Sequence, residues 1–179
     1  MEGREDARVV TLSSTAHRVG KIDFADLQWK QGRYKRWGAY GQSKLANLIF
    51  ARELDRRLRA SGSSIKSLAA HPGYSATNLQ SAAPPFLDRM VMVATNAVLA
   101  QSAEIGALPQ LFAATEPGLE GGIYVGPDGF AEQRGYPKQV QPHNSEADDP
   151  DLARRLWEVS EELTGVTPEI GGTSLRPSS

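Results

Sequence analysis

Tyr40 and Lys44 stand four residues apart in the stretch Tyr40-Gly41-Gln42-Ser43-Lys44. On a helix that spacing stacks a phenol and an ammonium on one face. A phenol titrates near pH ~10 and exchanges protons poorly at neutral pH, but a fixed positive charge beside it favours the phenolate. The pair is thereby equipped for general acid/base work, with the phenol moving the proton and the ammonium tuning it. On spacing alone the same pair also fits an ordinary contact on a helix surface. Its company argues for chemistry: hydroxyls at Ser13 and Ser14, and a turn at His71-Pro72-Gly73.

The elements that must position these groups read as an alternation of strands and helices. Arg8-Val9-Val10-Thr11-Leu12 is a short β-rich run of the kind buried in a parallel sheet, and Ser13 and Ser14 close its carboxyl end. Ligands of open α/β sheets bind outside the carboxyl ends of strands, which suits a substrate-facing hydroxyl, although serines there also satisfy nearby backbone. Thr15 to Trp37 reads as a long polar loop anchored by Ile22, Phe24, Leu27 and Trp29. The helix carrying Tyr40 runs to about Ala60, with Leu45, Leu48, Ile49, Leu54 and Leu58 at helical spacing and Gly62 as a stop signal. Its arginines, Arg52, Arg56, Arg57 and Arg59, read as a solvated face. Ile65 to Ala70 is the next strand, broken by Pro72-Gly73, and the strand-helix-strand order implies a parallel crossover. Ser75 to Pro85 is a small, polar loop; a helix follows from Phe86 to Ala100. Another runs from Ser102 to about Thr115, with a kink or break expected at Pro109. Gly122 to Val125 reads as a third strand, Gly126-Pro127-Asp128-Gly129 as a turn, and Phe130 to Asp149 as surface loop. Asp149-Pro150 opens a last helix with the apolar stripe Leu152, Leu156, Val159 and Leu163, ending at Gly165.

Taken in order, Leu12-Ser13-Ser14, Tyr40-Gly41-Gln42-Ser43-Lys44-Leu45-Ala46-Asn47, His71-Pro72-Gly73 with Thr77, and Gly121-Gly122-Ile123-Tyr124 resemble one known family. It is the short-chain dehydrogenases/reductases, in the retinol-dehydrogenase-like branch, and the resemblance runs from about Arg8 to about Gly165. It implies an α/β fold, the carboxyl-terminal part of a Rossmann-type doubly wound parallel sheet, with residues 1–165 as a partial catalytic domain and 166–179 as a flexible tail. It implies NAD or NADP as cofactor and an alcohol or carbonyl compound as substrate. It assigns Tyr40 as the acid/base, Ser14 as the hydroxyl that orients substrate, and Lys44 as the tuning charge that also binds the nicotinamide ribose. Pro72, Gly73 and Thr77 would lie against the nicotinamide. His17 receives no role from it, and the Ser75 to Pro85 loop would select the substrate.

One feature of such folds has no counterpart in this sequence. A dinucleotide site of this kind needs a Gly-rich turn between a first strand and helix, where backbone N–H groups bind the pyrophosphate. No Gly-x-Gly-x-x-Gly occurs here. In the family that turn lies upstream of the strand that here begins at Arg8, so the amino-terminal half of the sheet is expected to be absent. The Val9 to Leu12 strand is then expected to present an open edge, which favours pairing with another chain and a homo-oligomer. A catalytically incompetent fragment or interaction module is the alternative to an oxidoreductase.

Bulk composition agrees with small-molecule chemistry. The chain has 179 residues, 20 Lys plus Arg against 21 Asp plus Glu, and a net charge of -1, so no global field draws nucleic acid or an anionic membrane. It has no cysteine, which excludes disulfides, thiolate metal sites and a Cys nucleophile. A hydrolase would want a G-x-S-x-G elbow around its serine, and Ser14 has none. The charged start, Met1 to Asp6, lacks a secretory pattern and no apolar run is long enough to span a bilayer, so a cytoplasmic protein is expected.

Overall fold

A computed structural model describes residues 1, 4, 6–74 and 101–170. The elements in order are β1 (Arg8–Leu12), α1 (Arg36–Ala60), β2 (Lys66–Ala70), α2 (Ala103–Thr115), β3 (Tyr124–Pro127), β4 (Pro137–Val140) and α3 (Pro150–Thr164). Short 3-10 turns occur at Thr15–Val19, Phe130–Glu132 and Ser145–Asp148. The four strands form one sheet in the order β1-β2-β3-β4. β1, β2 and β3 are parallel, with Arg8 opposite Lys66, Leu12 opposite Ala70 and Ala70 opposite Val125; β4 closes the sheet antiparallel, Tyr124 opposite Val140.

β2 sits at the centre of the packing because both of its faces are covered. Leu68 and Ala70 join Val125 and Ala113, the latter from α2, in one apolar cluster. Ala69, on the opposite face by the two-residue alternation of a strand, joins Leu45, Leu48, Ile49 and Ala51 of α1 and Leu156 of α3 in the other. The result is an α/β fold with helices on both faces of a mostly parallel sheet. Alanines at 69 and 70 leave room for the helices to approach.

Two local devices fix α1 against this frame. Asn47 donates through Nδ2 to the Leu12 carbonyl at 2.8 Å, tying the helix to the end of β1. Gly20 lies against Gly41 so closely that a Cβ on Gly20 would overlap the Gly41 carbonyl and stand 2.9 Å from the Leu45 Cβ. The 3-10 turn Thr15–Val19 is thereby pressed onto the helical turn that carries Tyr40 and Lys44.

Several sequence expectations are corrected. α1 begins at Arg36, a turn before Tyr40. Its arginines are not a simple solvated face: Arg56 and Arg57 pair with Glu53 at 2.7 and 2.6 Å, and Arg59 pairs with Asp55 at 2.6 Å. Both carboxylates are buried, and Asp55 also accepts the Ser67 amide at 3.1 Å. Arg56 and Arg59 are exposed as expected, but the acids between them, Glu53 and Asp55, are buried and paired by these arginines, as a buried carboxylate requires. α2 runs unbroken through Pro109. The third strand starts at Tyr124, and Gly126-Pro127 belong to it rather than to a turn. The expected surface loop from Phe130 to Asp149 contains β4 and two 3-10 turns; Lys138 and Gln139 are exposed and only Val140 of β4 is buried, so the strand lacks an apolar signature. In the stripe of α3, Leu156 is buried but Leu163 is exposed, while Trp157 stacks on Phe50 at 5.5 Å. Asp149 caps α3 as expected, its side chain accepting the Asp151 and Leu152 amides, and Gly165 ends it with a φ of 67°. The Ser75 to Pro85 loop, the expected Phe86 to Ala100 helix and residues 171–179 of the tail lie outside the described residues.

Gly20→Ala should lower the unfolding free energy by about 1–3 kcal/mol, the usual range for overpacking a tight contact. Gly32, whose added Cβ would meet only the Asp26 carboxylate at 3.7 Å, supplies the control. Urea denaturation of Gly32→Ala should stay within ~0.5 kcal/mol of the parent, and an equal loss in both variants would contradict the assignment.

Candidate active site

The candidate residues gather where three parallel strands end. After Leu12 the ladder continues through the Ser13 amide, which donates to the Ala70 carbonyl at 2.8 Å; the His71 amide does the same to the Val125 carbonyl at 2.9 Å. The chain beyond β1 and the chain beyond β2 thus leave the sheet side by side.

The two serines separate by environment. Ser13 is buried, and its hydroxyl donates to the Lys44 carbonyl at 2.8 Å. Ser14 is half-buried; its Oγ accepts the Ala16 amide at 3.2 Å and so caps the 3-10 turn. The Ser14 carbonyl is held by the buried His17, whose Nδ1 lies 2.6 Å away and must carry the proton in that contact. His17, which had no role in the sequence reading, is therefore the group that fixes the Ser14 main chain.

Tyr40 and Lys44 are both partly exposed on α1. The Lys44 ammonium lies 5.6 Å from the centroid of the Tyr40 ring, and Trp37 packs edge-on against that ring at 6.3 Å. The i, i+4 stacking expected from spacing is present. Ser14 reaches this pair through the main chain: the Ala16 carbonyl abuts Gly41, and Ser13 bonds to Lys44.

Pro72 and Gly73 stand beyond β2, with Gly73 at a φ of 68°. Gln101 braces that turn. It donates to the Pro72 carbonyl at 2.7 Å, accepts the Gly135 amide at 3.1 Å, and its own amide donates to the Tyr74 carbonyl at 3.0 Å. Thr77 lies outside the described residues.

Behind the turns is a polar cluster that sequence reasoning missed. His71 is fully buried, its Nδ1 accepts the Gly73 amide at 3.2 Å, and the ring tilts against Tyr124 at 5.1 Å. Gly126 makes the space, since a Cβ there would overlap the imidazole, 2.7 Å from Cδ2. Burial holds His71 neutral, with a pKa lowered to about 4 despite the nearby Glu132 carboxylate. Burial lowers His17 as well and pushes the Tyr124 phenol up. Burial would also raise Glu132, but His143, Arg18 and His71 outweigh it and hold its carboxyl below the usual range. Only the pairing of His71 with Pro72-Gly73 hinted at this cluster; its other members come from distant segments.

A cleft of about 370 Å³ lies elsewhere, lined by Arg52, Asp55, Arg59 and Gly121 among others, and contains none of the candidate residues. Its arginines are engaged with Asp148, Asp55 and Glu53. Among the described residues no cluster of His, Cys, Asp and Glu could hold a metal ion, and no helix is long and apolar enough to cross a membrane.

No protein-family model matches the chain. The chain is 36% identical over 174 residues to Retinol dehydrogenase 13 of Mus musculus, covering 92% of this chain and 47% of that protein. It is 35% identical over 169 residues to Dehydrogenase/reductase SDR family member 13 of Bos taurus, covering 90% and 41%. A crystal structure of an uncharacterized protein from Mycobacterium paratuberculosis superposes with a TM-score of 0.70 at 43% identity, over 90% of this chain and 51% of that one. The chain thus spans about half the length of the relatives it matches.

The buried imidazole makes a prediction for stability. The unfolded His71 binds its proton near 6.5 and the folded one near 4. Between those values the unfolded chain holds more protons, so stability present above pH 6.5 is lost as the pH falls toward 4. The full window corresponds to about 3 kcal/mol from this group. Urea denaturation between pH 7.5 and 4.5 should show the decline, and His71→Gln should flatten it; an unchanged slope in the variant would contradict a neutral buried His71.

Proposed function

Since the chain belongs to the short-chain dehydrogenase/reductase family, akin to its retinol dehydrogenases, we propose that it serves NAD(P)-dependent interconversion of alcohols and carbonyl compounds. The observation that supports this most is the packing of the Ser14 turn onto the turn of α1 that carries Tyr40 and Lys44, beside the Pro72-Gly73 turn. A hydroxyl, a phenol, an ammonium and a glycine-containing turn then border one end of a parallel sheet, where ligands of such sheets bind.

This donor set fits the nicotinamide end of the cofactor. Lys44 and Tyr40 would hold the ribose hydroxyls, and the backbone at Pro72 and Gly73, with Thr77, would border the ring. The pyrophosphate end is not assigned, because the sequence has no Gly-x-Gly-x-x-Gly turn. When bound, the cofactor supplies or accepts the hydride. Ser14 Oγ would hold the substrate oxygen, and Tyr40 Oη would give or take its proton. The Lys44 ammonium, on the same helix face, would favour the phenolate during that transfer. An apolar alcohol, aldehyde or ketone is the substrate class suggested by the likeness to a retinol dehydrogenase. A second reading, an interaction module, is favoured by β1, whose only ladder partner among the described residues is β2.

Titration with NADPH and then NADH, followed by nicotinamide fluorescence and the Tm, separates the two readings. Saturable fluorescence with a raised Tm supports the oxidoreductase. Neither signal, with concentration-dependent association instead, supports the module. Tyr40→Phe should lower turnover of an apolar alcohol by ~10²-fold or more with cofactor affinity retained; an unaltered rate would overturn the role of Tyr40.

A further inference from the structure

We propose that Glu132 is a positioning residue whose carboxylate holds the Ser14 turn and the Pro72-Gly73 turn in fixed relation to each other. The inference rests on the oxidoreductase reading of those two turns.

Glu132 touches both turns from a third segment. Its Oε2 accepts from Arg18 Nη2 at 2.7 Å, and Arg18 lies in the 3-10 turn that Ser14 caps. The same oxygen stands 3.3 Å from His71 Nε2, immediately before Pro72-Gly73. Because His71 Nδ1 accepts the Gly73 amide, the neutral ring carries its proton on Nε2. That nitrogen is buried without a well-formed hydrogen bond, so the carboxylate facing it is an electrostatic partner.

A second route leads from Glu132 to Ser14. Oε1 lies 3.1 Å from His143 Nε2, the His143 amide donates to His17 Nε2 at 3.4 Å, and His17 Nδ1 donates to the Ser14 carbonyl. The neighbouring Gln133 carbonyl also accepts the Tyr74 amide at 2.7 Å, so the Glu132 segment bonds directly to the chain leaving Gly73.

The backbone at Glu132 supplies an independent observation. Ala131 and Glu132 both occupy the left-handed region, with φ of 49° and 58°, in two successive residues that carry side chains. Such conformations persist only where the surroundings over-determine them, and they gather at functional sites. Here the strained turn carries a carboxylate that meets Arg18 and His71. Its side chain is only 14% exposed.

Amide hydrogen exchange on the 179-residue chain tests the proposal, with Glu132→Gln and Arg18→Met as separate variants. Glu132→Gln should speed exchange of the His17 amide in one turn and of the Tyr74 amide in the other by roughly tenfold, while Leu48 and Leu68 amides keep their rates. Arg18→Met, which leaves Glu132 in place but removes its arginine partner, should loosen both turns as well. The 15N shifts of the His71 ring should change in Glu132→Gln, a signature that general loss of stability does not produce. Loosening of one turn only, a uniform rise across the sheet and α1, or no change in either variant would each overturn the proposal. These readings require no nicotinamide, so a chain that binds none would count against the oxidoreductase reading and leave the test of Glu132 intact.

Discussion

The contact between Gly20 and Gly41 is the constraint on which the site depends. A side chain at Gly20 would separate the turn that follows β1 from the helix that follows it in sequence. With both residues bare, main chain meets main chain, and the Ser13 hydroxyl can reach the Lys44 carbonyl. That contact sets where Ser14 stands relative to Tyr40 and Lys44. Asn47 adds a second tie, from α1 to the end of β1. The helix is therefore located by the sheet at one end of the site and by the turn at the other.

Charge is arranged around this frame by a consistent rule. Arginines reach the carboxylates that leave solvent: the buried Glu53 pairs with Arg56 and Arg57, the buried Asp55 with Arg59, and the partly buried Glu132 with Arg18. Buried imidazoles at His17 and His71 stay neutral, since burial penalises the cation more than the nearby carboxylate favours it. The turns at the sheet end thus rest on a fixed anion and neutral donors, which gives the neighbourhood of Ser14 and Pro72 defined hydrogen-bond directions. Tyr40 and Lys44, by contrast, remain partly exposed.

The chain spans about half the length of its relatives, and what it contains is chemically coherent. The groups proposed to handle the proton and the turn proposed to border the nicotinamide lie on α1 and just beyond β1 and β2, while the sequence has no Gly-x-Gly-x-x-Gly. β1 has a single ladder partner, β2, among the described residues, and Asn47 occupies the carbonyl of its last residue, Leu12.

The sequence by itself determined the parts of this protein that depend on near neighbours. The Tyr40 and Lys44 pair, the β1 and β2 strands, the Asp149 cap of α3 and the Gly62 and Gly165 stops are written in spacings of a few residues, where helix and strand periodicity act. The α/β class followed from their order. Residues with long-range partners were illegible. β4 has too little apolar alternation to be read as a strand and exists because β3 offers it a ladder. Glu53 and Asp55 stand in sequence among arginines read as a solvated face, yet α3 and the 121–122 turn cover them. Gln101, His17, His71, Tyr124 and Glu132 became a network only when segments as distant as Arg18 and Glu132 met. Tertiary structure decided these because burial, unlike periodicity, is a property of what packs against a residue, and only burial turns a polar side chain from a solvated group into one that must be paired.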